Sequence, residues 1–303
     1  MTQMIADLHL IRSGALSCAL LLFLAGCGSR NQYSQTMLLM GTTATITVTP
    51  DTIAGRDAVA EVFRLLQERD KQLSYYGQES ELSKLNAGAA SGPVPVSKLL
   101  FNIIRRSLHY SRQTGGAFDV TATSLKQADG YKTIRLDLVQ HTVHITNPEA
   151  RVDLGGITVG YVLDEVVALL RSRGQKNFMI DIGGDIFVSG YNPQGKPWCC
   201  GIRDPLKQDA MIEYLALSDK SVTTSGNYLR PHIIDPQTHL PATGSVLSVT
   251  VIAPTGLDAD ALATAFFVMG IEKTRDFLSA RPDIQAVFVK QGEEGKLEVI
   301  RVE

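Results

Sequence analysis

The chain has 303 residues, a formal net charge of -2 and charged side chains spread along its whole length. It therefore lacks the basic footprint of a nucleic-acid binder and the acidic block of an interaction tail. A chain this long buries a sizeable core without covalent staples, so its four cysteines are not needed as a disulfide framework.

The first element predicted is a leader. A polar stretch carrying Arg12 precedes an apolar run, SGALSCALLLFLAG, from Ser13 to Gly26. It is shorter than the about 20 residues a membrane span requires and has the layout of a secretory signal peptide. Leu24, Ala25, Gly26 and Cys27 resemble a lipobox, which makes residues 1–26 a lipoprotein signal peptide and Cys27 the lipidation site. Residues 27–35 then form a lipidated tether, polar and without periodicity, and residues 36–303 form the catalytic domain. This expectation places the protein in the cell envelope, held to a membrane by lipid and facing the periplasm.

Within the domain, Thr43 to Thr49 alternates as a strand does, and Asp51 or Thr52 can cap a helix carrying Val59, Val62, Phe63, Leu66 and Leu73 on one face. A second helix runs from Ser97 to Arg112. TIRLDL and HTVHIT read as a hairpin about Val139 and Gln140, and Ile157 to Arg171 has helical spacing with Gly174 as its stop. FMIDIG, EYLALS, SVTTSG and SVLSVTVIAP follow as strands. Helices near Asp260 to Met269 and Glu272 to Ala280 precede two closing strands, Ile284 to Lys290 and Lys296 to Val302. Without a regular βαβ rhythm, the order predicts an α+β domain of layered antiparallel or mixed sheets with helices, single or built from two intimate subdomains. Cys199 and Cys200 are adjacent, so on a strand they face opposite ways and do not pair.

Three glycine pairs sit beside carboxylates: Gly115 and Gly116 before Ala117, Phe118 and Asp119; Gly155 and Gly156 after Asp153; Gly183 and Gly184 between Asp181 and Asp185. Glycine lets backbone amides approach phosphate oxygens, and a helix starting after Gly156 adds its positive dipole end, a combination suited to a dinucleotide. Asp260 and Thr264 are four residues apart, hence on one helix face, and one carboxylate with one hydroxyl suits magnesium, which keeps positions for water and phosphate. The alternative makes Asp258 or Asp260 a first-turn acid favoured by the helix dipole. The P-loop, the GxSxG elbow and the HExxH helix are absent from the sequence. His232 and Asp235, in HIIDP, are candidates for proton transfer.

The ordered set Met40-Gly41-Thr42, SYYGQESELSKLN (Ser74 to Asn86), GGAFDVT, DLGGITVGYVLD, TTSG (Thr223 to Gly226), HIIDP and DADALATA resembles the ApbE-like flavin transferases. The resemblance runs from about Met40 to the C-terminus. It implies a T-fold-related catalytic domain and an envelope lipoprotein that uses Mg2+ to split FAD. The FMN half is attached through its phosphate to a Ser or Thr of a partner protein, a membrane redox-complex subunit, and AMP is released. The resemblance further implies that Met40, Tyr76, Asn86, Ala117, Phe118, Asp119, Asp153 and Ile234 line the FAD site. It makes Asp260 and Thr264 side-chain ligands of the metal and Gly156 a carbonyl ligand. Val159 departs from the lysine or glutamate usual at its place beside FAD, and His239 from a glycine. Two other activities share these residues: an Mg-dependent FAD pyrophosphatase that uses water, and a lipoprotein that binds FAD without chemistry.

Overall fold

The computed structural model describes residues 31–75, 77–124, 130–207, 209–228, 230–292 and 295–303. The leader, Cys27 and Tyr76 lie outside the described residues. Among those described, the chain begins with a hairpin of β1 (Tyr33–Leu39) and β2 (Thr42–Thr49), joined by Met40 and Gly41 with φ of 56° and 73°. Two positive φ values make a primed turn, the kind whose twist matches that of the paired strands. Residues 33–35, expected in the tether, are instead paired with β2. Short polar side chains hid this strand, because Ser34 and Thr36 face Thr47 and Thr45 through hydroxyl contacts and not through an apolar alternation.

Helix α1 (Ile53–Leu73) is capped by Thr52, which accepts from the Gly55 amide, while Asp51 pairs with Arg56. Next come α2 (Glu81–Gly88), which periodicity had not marked, β3 (Val94–Pro95) and α3 (Lys98–Gln113). Then β4 (Ile134–Asp137) and β5 (Thr142–Ile145) form the expected hairpin, with β3 on its edge. Helix α4 (Thr158–Ser172) precedes β6 (Asn177–Ile182), β7 (Asp185–Ser189), β8 (Trp198–Arg203), β9 (Met211–Leu217) and β10 (Lys220–Gly226). The chain closes through β11 (Ile234–Asp235), β12 (Leu240–Pro241), β13 (Val246–Ala253), α5 (Gly256–Leu278), β14 (Gln285–Gln291) and β15 (Leu297–Val302). The two helices expected near Asp260 and Glu272 are one element, kinked at Gly270, whose φ is 75°.

The eight-stranded sheet has the order β1-β2-β6-β7-β10-β13-β14-β15, with antiparallel neighbours throughout. Alternation sorts its residues to two faces. Ile46, Phe178, Ile180, Phe187, Val251 and Phe288 join the large core under α1, α4 and α5. Val188, Val222, Ile252 and Val287 pack on the other face with Trp198, Cys200 and Leu215 of the β8–β9 hairpin. Cys199 is exposed and Cys200 buried, both free, as strand alternation requires. Among the described residues no helix is long and apolar enough to cross a membrane.

Candidate active site

One end of the sheet opens into a cleft of about 840 Å³. Its floor is made by two hairpin turns. Ile182 pairs with Asp185 across Gly183 and Gly184, and the Gly183 amide donates to the Thr43 carbonyl. A Cβ on Gly183 would come within 2.7 Å of Thr42 Oγ1, so the Met40-Gly41 turn and this one meet only because glycine is there. Met40, Gly41, Gly183, Gly184 and Asp185 all line the cleft.

The wall opposite is the crossing of α4 and α5. A Cβ on Gly160 would lie 2.4 Å from the Gly256 carbonyl oxygen, and one on Gly256 would lie 2.8 Å from that of Gly160. This approach lets each helix bind the start of the other. Asp260 of α5 accepts from the Gly160 amide at 2.9 Å, while Asp164 of α4 accepts from the Gly256 and Leu257 amides at 2.6 and 3.1 Å. Each carboxylate thus meets amide donors that a helix start leaves without partners. Asp164 was legible only as the last letter of DLGGITVGYVLD; nothing in that spacing says it reaches another helix. Of the two acids offered as first-turn residues, Asp258 takes that place, bonded to Thr255 and Tyr110. Asp260 lies in the next positions along α5 and is 5% exposed.

Asp260, Thr264 and Gly156 converge. A Cβ on Gly156 would stand 3.1 Å from Thr264 Oγ1, and Ser225 Oγ lies 3.4 Å from the same hydroxyl. Burial, reinforced by the charge of Asp185, holds the Asp260 carboxyl well above the usual carboxylate range. Burial likewise pushes Asp185 up to about 6. Neither carboxylate has a cationic partner among the described residues, and the described lining of the cleft carries five carboxylates (Asp70, Asp119, Asp153, Asp185 and Asp260) against two guanidiniums (Arg69 and Arg230). Of these, Asp260 is buried, and a buried carboxylate is costly unless it is paired or coordinates a metal. Hard oxygen donors of this kind fit Mg2+. No group of three His, Cys, Asp or Glu side chains forms a metal cluster among the described residues.

The other residues singled out by sequence separate into two groups. Met40, Ala117, Phe118, Asp119, Asp153, Gly156, Val159, His232, Ile234, Asp260 and Thr264 line the cleft. Asn86 does not: its amide group donates to the Val152 carbonyl and accepts from the Val152 amide, so it clamps α2 to the segment leading into α4. Asp235 is also turned away, accepting from the Gln237 amide in its own turn. Asp119, although at the wall, spends its oxygens on Thr121 and the Tyr131 amide and so fixes the loop. His232 is exposed at the rim, with Nδ1 2.8 Å from the Arg230 carbonyl. A carbonyl only accepts, so Nδ1 carries the proton and the neutral ring keeps a lone pair on Nε2. Arg69, held by Glu165 at 2.7 Å, and Ser225 are lining residues that the sequence reading did not assign. The ion pair joins α1 to α4 across 96 positions, a separation local spacing does not reveal.

Glycine turns fit for phosphate, a carboxylate pair without a counter-ion and a histidine with a free lone pair, all facing one cleft, are the working parts of an enzyme. Residues 40–288 match the profile of the ApbE family. A Treponema pallidum (strain Nichols) protein named FAD:protein FMN transferase is 33% identical, over 92% of this chain and 90% of its own. A Vibrio cholerae protein of the same name is 33% identical, over 87% and 89% respectively. The solved flavin transferase ApbE from Vibrio cholerae superposes with a TM-score of 0.80 at 30% identity, covering 90% of this chain and 97% of that one. The ApbE protein of Thermotoga maritima gives a TM-score of 0.80 at 28% identity, with the same shares covered. The chain belongs to the ApbE family.

Proposed function

We propose that this enzyme transfers the FMN half of FAD, through its phosphate, to a Ser or Thr hydroxyl of an acceptor protein and releases AMP. The observation that carries the reading is the unneutralised Asp260 carboxylate, buried beside Thr264 and Gly156 in a cleft whose other walls are glycine turns. Met40, Ala117, Phe118, Asp153, Val159 and Ile234 would contact the dinucleotide. Gly156, Asp260 and Thr264 would hold Mg2+, which when bound neutralises negative charge on the pyrophosphate oxygens. The acceptor hydroxyl oxygen forms a bond to the phosphorus carrying the riboflavin. The bond from that phosphorus to the bridging oxygen breaks, and AMP departs with that oxygen. His232 Nε2 would take the hydroxyl proton, so His232 is the general base in this reading and Asp235 has no part in the transfer. With Val159 apolar, Arg69 and Arg230 are the cleft's own positive groups for the substrate.

The same reading sets the enzyme in the cell envelope, with Cys27 lipidated, a short linker before β1, and a redox-complex subunit of that membrane as acceptor. Incubating the purified protein with FAD, with and without Mg2+, and separating the products by chromatography tests the chemistry. Mg-dependent AMP appearing with FMN bound covalently to an added acceptor supports transfer. AMP with free FMN, in the acceptor's presence, assigns hydrolysis instead. FAD left intact in both conditions refutes the reading.

A further inference from the structure

Asp185 and Thr223 have no assignment in the reading above, yet they stand on the sheet side of the same cleft. Ile186 of β7 pairs with Val222 of β10, and both face the β8–β9 hairpin. The next positions along the pair, Asp185 and Thr223, therefore share the opposite face, toward α5. Thr223 is 4% exposed, and its Oγ1 has no hydrogen bond of ordinary geometry. The register sets Asp185 beside Thr223, both line the cleft with Asp260 and Thr264, and Ser225, two residues further along β10, reaches Thr264 Oγ1 at 3.4 Å. A buried hydroxyl without a partner beside a carboxylate without a counter-ion calls for a ligand that satisfies both.

We propose that Asp185 and Thr223 form the sheet half of the cation pocket, opposite Asp260 and Thr264 of α5. This chain then surrounds a divalent, oxygen-seeking cation with two carboxylates from opposite walls. Two carboxylates hold such a cation with water in its remaining positions, so the metal binds before the dinucleotide, whose phosphates then replace water. The inference rests on the metal position proposed above and adds to it the second wall and the order of binding.

Mn2+ added to the FAD-free full-length protein, followed by electron paramagnetic resonance of the free ion, tests this directly. Wild type is expected to bind Mn2+ without FAD, Asp185→Asn to bind it about 10- to 100-fold more weakly, and Asp260→Asn not at all. Melting in metal-free buffer shows whether Asp185→Asn is folded; if it is not, Thr223→Val takes its place with the same direction of change. Wild-type Mn2+ affinity in the folded Asp185→Asn protein, or in Thr223→Val where that variant stands in, overturns the proposal. Failure of wild type to bind Mn2+ until FAD is added does so too. If Mn2+ binds as proposed but FAD is never cleaved, the transferase reading falls and this one stands. If Asp260→Asn binds Mn2+ like wild type, the metal position itself is wrong and both fall.

Discussion

Replacing Asp260 with asparagine should make the metal-free protein more stable while destroying its response to Mg2+. The side chain is nearly buried, and it is held in an uncharged-favouring site by desolvation and by the charge of Asp185. An asparagine carbonyl keeps the acceptor for the Gly160 amide and removes the repulsion. For scale, the displacement of Asp185 from 3.8 to about 6 corresponds to about 3 kcal/mol at neutral pH. Because the pair shares one repulsion and Asp185 is only half-buried, a gain of about 1–2 kcal/mol is expected, or about 3–6 °C in melting temperature. Mg2+ at about 100 times its dissociation constant should add about 2.7 kcal/mol to wild type and nothing to the variant. Melting curves of both proteins, with chelator and with Mg2+, measure all four quantities. A lower melting point for metal-free Asp260→Asn, or equal Mg2+ stabilisation of the two proteins, would refute the argument that this carboxylate is an unpaired charge awaiting a cation.

The metal-free wild type should lose stability as pH rises from about 4 to about 6. Asp164 and Asp185, both raised to about 6 chiefly by burial, hold protons in the folded chain that the unfolded chain has already released; a melting series across that window checks the sign. His232→Gln should lower turnover by about 10²- to 10⁴-fold and leave FAD affinity within a few-fold of wild type, measured by flavin fluorescence beside product analysis. Gly160→Ala puts a methyl 2.4 Å from the Gly256 carbonyl and should cost about 1–3 kcal/mol in urea unfolding, with Mg2+ affinity lost as the helices part. His239 occupies φ of 56°, so His239→Val should destabilise the fold by about 1–3 kcal/mol, whereas His239→Gly should be close to neutral.

Much of this protein is written locally. The alternation of Thr43 to Thr49, the 3.6-residue face of α1 and the serine at the start of α3 all act through neighbours a few positions away. The layered α+β class followed from such patterns, while the FAD-site residues were implied by the resemblance of the ordered motifs to the ApbE family. The glycine pairs also announced turns, as at Gly183-Gly184, where both φ values are positive. Asp258 and Asp260 illustrate the limit of this reading. Two residues apart and equally eligible as first-turn acids, they differ in surroundings only through packing: α4 crossing α5 gives Asp260 the Gly160 amide, while Asp258 meets Tyr110.

Asn86 entered as the end of the SELSKLN motif and Asp235 as the carboxylate near His232 in HIIDP, and tertiary packing gives them backbone partners at Val152 and Gln237. Asp164 and Arg69 went the other way, unremarkable in sequence but joining elements 92 and 96 positions apart. The division has a physical cause. Dihedral preference and periodicity act over one or two turns of chain, so the sequence by itself determines which segments are strands, helices and tight turns. Burial, charge pairing and hydrogen-bond partners depend on which segments meet, so only the tertiary structure decided which of the described carboxylates were left without a counter-ion.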